Sequence, residues 1–111
     1  MLIKKTAVVN GVQEETWYAI GVARTVYSKH GHKLVCTSLN DSHEDRPGSL
    51  HNKGLAVDMR TRDIPVSTLA FIVSDLKELL EPEGYDVVEE KNHIHVEYDP
   101  KNGECWQERV D

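Results

Sequence analysis

The stretch SLHNKGLAVDMR, residues 49–60, sets a histidine seven residues before an aspartate. Between them stand a glycine, an alanine and two apolar residues. Leu55, Ala56 and Val57, with Met59 beyond, have the composition of a β-strand. His51 stands at the entrance of that strand and Asp58 near its middle. A strand carrying both groups raises the question of a chemical task beside the packing one.

Working outward, KLVCTSL ahead of this stretch is a second strand candidate, within residues 32–39. The polar run NDSHEDRPGS joins the two, with Pro47 and Gly48 as breakers. Earlier still, residues 11–31 predict a helix. Trp17, Ile20, Ala23 and Tyr27 recur at three- and four-residue steps, and Gly31 is placed to end it. Trp17 and Tyr27 are expected in the core. LIKKTAVV, at residues 2–9, reads as an opening strand or extended arm.

After the central strand, PVSTLAFIVSDLKELL (residues 65–80) predicts a second helix. Pro65 suits its first turn. Leu69, Ile72, Val73, Leu76, Leu79 and Leu80 form its apolar face. EPEGYDVVEE and KNHIHVEYD then supply a third and a fourth strand, and a polar tail with Trp106 follows. The order helix, two strands, helix, two strands predicts an α+β fold, with helices packed on one side of a small, mostly antiparallel sheet.

The chain has 111 residues, the size of one domain with one core, and residues 1–111 are read as a single domain. Its net charge of −6 argues against a basic nucleic-acid surface, so neither a nucleic-acid partner nor a nuclease is expected. No apolar run approaches the roughly 20 residues that span a bilayer, so no membrane insertion is expected. The apolar run near the start is too short for the core of a signal peptide, which predicts a cytoplasmic chain at synthesis. Cys36 and Cys105 form no CxxC pair. Cys36 is expected as a reduced, buried thiol.

Three segments offer metal-type ligands: His51, Asp58 and the His93/His95 pair. Zinc takes imidazole and carboxylate donors, and a catalytic site uses three of them and leaves one position for water. Alternate residues of a strand share a face, so His93 and His95 are expected together. Glu89 has the same parity, unless a turn between breaks it. A lone HxH says little. Joined to the histidine, glycine, alanine and aspartate at fixed steps, it says much more.

SLHNKGLAVD matches the S-x-H-x-x-G-x-A-x-D motif, with Ser49, His51, Gly54, Ala56 and Asp58 all present. The chain thereby resembles the D-alanyl-D-alanine carboxypeptidase-like zinc peptidases, whose fold is shared with the hedgehog signalling domain. EEKNHIHVEYD resembles the hedgehog form, with a glutamate six residues before the last histidine. The likeness spans roughly residues 33–99.

The resemblance implies Zn2+ held by His51, Asp58 and His95. It implies His93 beside the metal, orienting water or steadying the transition state. Glu89 matches the general base; Glu90 would fit an E-x-x-H pattern only if His93 were the ligand. Arg46 and Ser49 are the substrate-binding candidates. Arg46 would grip a carboxylate, although its spacing is not the family's, which puts strict terminal D-Ala cleavage in doubt. Ser49 would cap the turn or hydrogen-bond around the ligands. Asp41, Glu44 and Asp45 only partly match the acidic calcium ligands of hedgehog domains, so no calcium site is expected. His43 is read as a substrate-side or surface residue and not a ligand, and His30 and His32 as exposed groups near a helix end.

The function implied is a monomeric zinc peptidase, bacterial or phage-encoded. It would cut peptidoglycan stem or cross-bridge peptides beside a D-amino acid, reaching the wall after release or through a separate pore. The alternative is a non-catalytic zinc-containing binding module of the hedgehog type.

Overall fold

The computed structural model describes residues 1–40 and 53–99. Within them the chain forms β1 (Leu2–Ile3), α1 (Glu14–Lys29), β2 (Val35–Ser38) and β3 (Ala56–Arg60). Then come α2 (Val66–Leu80), a 3-10 turn (Glu81–Glu83), β4 (Tyr85–Glu89) and β5 (His93–Tyr98). The five strands make one sheet in the order β1-β2-β3-β5-β4. Only β1 against β2 is parallel; the other three pairings are antiparallel. The α+β architecture expected from the sequence is the one observed.

Alternation along the strands separates two faces. Met59 and Val57 of β3, Ile94 and Val96 of β5, and Val87 of β4 are buried in one cluster with Ala19, Ile20, Ala23 and Val26 of α1 and Ile72, Leu76 and Leu80 of α2. Both helices therefore cover the same side of the sheet. The other side carries Asp58, His93, His95 and Glu97, and it is the side that matters chemically.

Helix α1 stops where expected. Gly31 sits at φ +80°, and the His32 N–H donates to the Tyr27 carbonyl at 2.9 Å, a turn that needs the left-handed backbone glycine tolerates. Its buried stripe is Thr16, Ala19, Ile20, Ala23, Val26 and Tyr27. Trp17, expected inside, is 37% exposed. The reason is polar: Thr16 takes the inward position by donating its hydroxyl to the Gly54 carbonyl at 2.8 Å. Trp17, one position on, is rotated by about 100°.

Helix α2 buries Ile72, Val73, Leu76 and Leu80, while Leu79 is half exposed. Pro65 stands just ahead of the helix rather than inside its first turn. The opening strand is shorter than its apolar residues suggest, because Ala7 N–H turns back to the Lys4 carbonyl at 3.0 Å. Cys36 is fully buried, and burial pushes its thiol up to about 11. Among the described residues no helix is long and apolar enough to cross a membrane.

Candidate functional site

The site is built by the pairing of β3 with β5. Their register sets Asp58 opposite His95, Arg60 opposite His93 and Ala56 opposite Glu97. Because Val57 and Met59 are drawn to the helices, Asp58 must project from the opposite face. The same rule turns His93, His95 and Glu97 outward while Ile94 and Val96 go inward. Two segments 37 residues apart thus deliver an aspartate and an imidazole to one point.

The contacts are short. His95 Nδ1 lies 2.8 Å from Asp58 Oδ1, and His95 Nε2 lies 2.7 Å from Glu97 Oε1. His93 Nε2 flanks the pair at 3.7 Å from Asp58 Oδ1, and its Nδ1 meets Asn92 Oδ1 at 2.6 Å. Side-chain exposures of 16% for Asp58, 20% for His95 and 23% for Glu97 leave the group half-buried and reachable.

A neutral imidazole has one N–H and one lone pair. His95 faces a carboxylate oxygen at both nitrogens, so the neutral ring satisfies only one of them. At these hydrogen-bond distances the second contact requires an added proton between ring and carboxylate. Burial alone would lower the His95 pKa. The hydrogen bonds its N–H groups give to the Asp58 and Glu97 carboxylates, and the charges of those carboxylates, outweigh it and hold the ring above its ordinary value.

Beyond His95 the same face turns acidic. Asp86 of β4 pairs with Glu97, and carboxylate oxygens of Asp86, Glu97 and Asp99 lie within 4.8 Å of one another. Glu97 belongs both to this group and to His95.

The β4–β5 hairpin places the two glutamates differently from the parity read in the sequence. Glu89 pairs with Ile94, and Val88 with His95. The Glu90 N–H closes the hairpin on the His93 carbonyl at 2.8 Å. Glu90 therefore continues the parity of Val88, on the side of the histidines, and Glu89 lies on the alternate parity. Both are exposed at the mouth of the hairpin. The length of the turn, invisible in residue spacing, decides this.

Gly54 has a structural task. Its carbonyl accepts from the Gln13 N–H at 2.9 Å and from the Thr16 hydroxyl, which pins the entrance of β3 to the start of α1. Ala56 is fully buried opposite Glu97. His30, expected at the surface, is largely covered, with its Nε2 2.9 Å from Asp75 Oδ2 of α2. His51, Arg46 and Ser49 lie outside the described residues, as do Asp41, His43, Glu44, Asp45, Cys105 and Trp106.

The structure thus brings Asp58, His95 and His93 together, and sets Glu89 and Glu90 at the hairpin mouth. Glu97 was missed in the sequence, although it follows His95 by two residues on the same strand. The H-x-E spacing was the signal. No family model, no curated protein and no solved structure matches this chain.

Proposed function

We propose that this chain is a zinc-dependent peptidase that hydrolyses peptidoglycan peptides at an amide beside a D-amino acid. The observation that carries the reading is the pairing of Asp58 Oδ1 and His95 Nδ1 at 2.8 Å on the face of the sheet away from the helices. A carboxylate oxygen and an imidazole nitrogen held side by side make two adjacent donors of the type zinc takes. The motif in residues 49–58 and the HIH of β5 supply the rest of the argument.

Asp58, His95 and His51 would hold the ion. Bound there, zinc would supply polarisation of the scissile carbonyl and a water whose pKa falls to about 7. The chain's own residues do the remaining work. His93, beside Asp58, would donate a hydrogen bond where negative charge develops on the substrate oxygen. A glutamate of the hairpin would take the proton from the attacking water and pass it to the departing amine. The resemblance assigns that role to Glu89, with Glu90 the rival by parity. Arg46 and Ser49 would meet the substrate. The substrate lies in the wall, so the chain would act after release or through a separate pore.

The test is mass spectrometry of muropeptides from purified peptidoglycan incubated with zinc-loaded protein, with and without a chelator. The reading expects a new product that the chelator abolishes, and its mass names the bond. Zinc uptake with no product would instead favour a non-catalytic zinc module.

A further inference from the structure

We propose that Glu97 is the positioning residue of the metal site: it holds the His95 ring so that Nδ1, not Nε2, faces the ion. The inference rests on the zinc reading above and adds to it a residue that the motif does not contain. Its basis is the pair of contacts on one ring, Nε2 to Glu97 Oε1 at 2.7 Å and Nδ1 to Asp58 Oδ1 at 2.8 Å.

Only one arrangement of a neutral ring fits a metal at this point. If Nε2 carries the proton and donates it to Glu97, Nδ1 turns its lone pair towards Asp58. Two electron-rich atoms then face each other, which is unfavourable unless a cation lies with them. In the opposite tautomer Nδ1–H donates to Asp58, the lone pair meets Glu97, and no donor pair exists. Glu97 therefore selects between a ring that binds metal and a ring that hydrogen-bonds to its own ligand partner. Ligating histidines commonly give their other N–H to a carboxylate, and losing that carboxylate typically costs 10–100-fold in metal affinity.

The strand geometry suits the role. Glu97 follows His95 by two residues and so shares its face without any loop to order. Its neighbours across the sheet are Ala56, whose small side chain leaves room for the carboxylate, and Asp86. Glu97 is 23% exposed, so water competes only partly for the contact.

Zinc affinity, measured by competition against a chromophoric chelator, separates the outcomes. Glu97→Ala is expected to weaken zinc binding about 10–100-fold. Glu97→Gln keeps a carbonyl oxygen to accept from Nε2–H and is expected to recover most of that loss. Long-range proton–nitrogen spectra of zinc-loaded wild-type protein are expected to show His95 with Nε2 protonated and Nδ1 bound. Circular dichroism of the metal-free variants checks that each is folded. The proposal is overturned if Glu97→Ala binds zinc as tightly as wild type. It is overturned equally if Glu97→Gln falls as far as Glu97→Ala, since charge alone would then explain the effect. A wild-type chain that takes up no zinc removes the zinc reading itself, a separate result from either.

Discussion

A side chain at position 54 would collide with the Gly11 carbonyl, and the backbone there already sits at φ +71°. Gly54→Ala therefore meets both a steric wall and a left-handed backbone, the latter alone worth roughly 1–2 kcal/mol. We expect a clear fall in thermal midpoint by calorimetry. An unchanged midpoint would show that the entrance of β3 is not pinned as described. Thr16→Val is expected to be milder, about 0.5–1.5 kcal/mol, because the Gln13 N–H still satisfies the Gly54 carbonyl. The small residues at 54 and 56 stand in the sequence as part of the motif. The partner, the backbone of Gly11 and Val12, was not legible, because it depends on how α1 docks. Glu89→Gln is expected to stop hydrolysis while leaving zinc bound, and Glu90→Gln to retain activity. The reverse pattern would move the proton transfer to Glu90, the residue that shares the histidines' parity.

The helices meet through a polar clamp as well as through apolar contact. Asp75 of α2 faces His30 at 2.9 Å and Lys29 at 3.4 Å. The hydrogen bond from His30 is the main cause that holds the Asp75 carboxyl below its ordinary 3.8. A depressed carboxyl pKa means that the ionised form favours the folded state. The contribution is complete above pH 3.8 and disappears as acid takes the pH through the lower, folded value. Asp75→Asn should therefore lower the thermal midpoint slightly at neutral pH, with the difference from wild type shrinking in strong acid. A difference that grows in acid would contradict the clamp. At the scale of elements the sequence was readable. Both helices showed in their 3.6-residue periods and the four main strands in their β-forming composition, since burial of one face dominates the helical residues. Trp17 misled because size suggests burial, whereas the Thr16 hydrogen bond sets the helix rotation. The clamp itself joins residues 45 apart and leaves no local trace.

At the scale of the molecule, one sheet serves two purposes. Its helix side buries the core, and its other side carries the polar groups Asp58, His93, His95 and Glu97. The pairing of β3 with β5 turns an aspartate and a histidine from distant segments into neighbours. That register was only partly legible. Alternation fixes which face each residue takes, whereas the partner across the strand depends on the turns. Glu97 and the Glu89–Glu90 distinction both belong to that second kind of information. The buried Cys36, with its thiol pushed up to about 11, should ignore thiol reagents in the folded chain and react only on denaturation. Labelling under native conditions would mean that the core opens more readily than this packing implies.

The central claim is that Asp58 and His95 are donors to one zinc ion. Zinc content per chain, measured by atomic emission after dialysis, tests it in the wild type, Asp58→Asn and His95→Ala, with circular dichroism confirming that each is folded. The account predicts one zinc in the wild type and a large loss in both variants. Wild-type protein without zinc, or variants that keep it undiminished, would contradict the account.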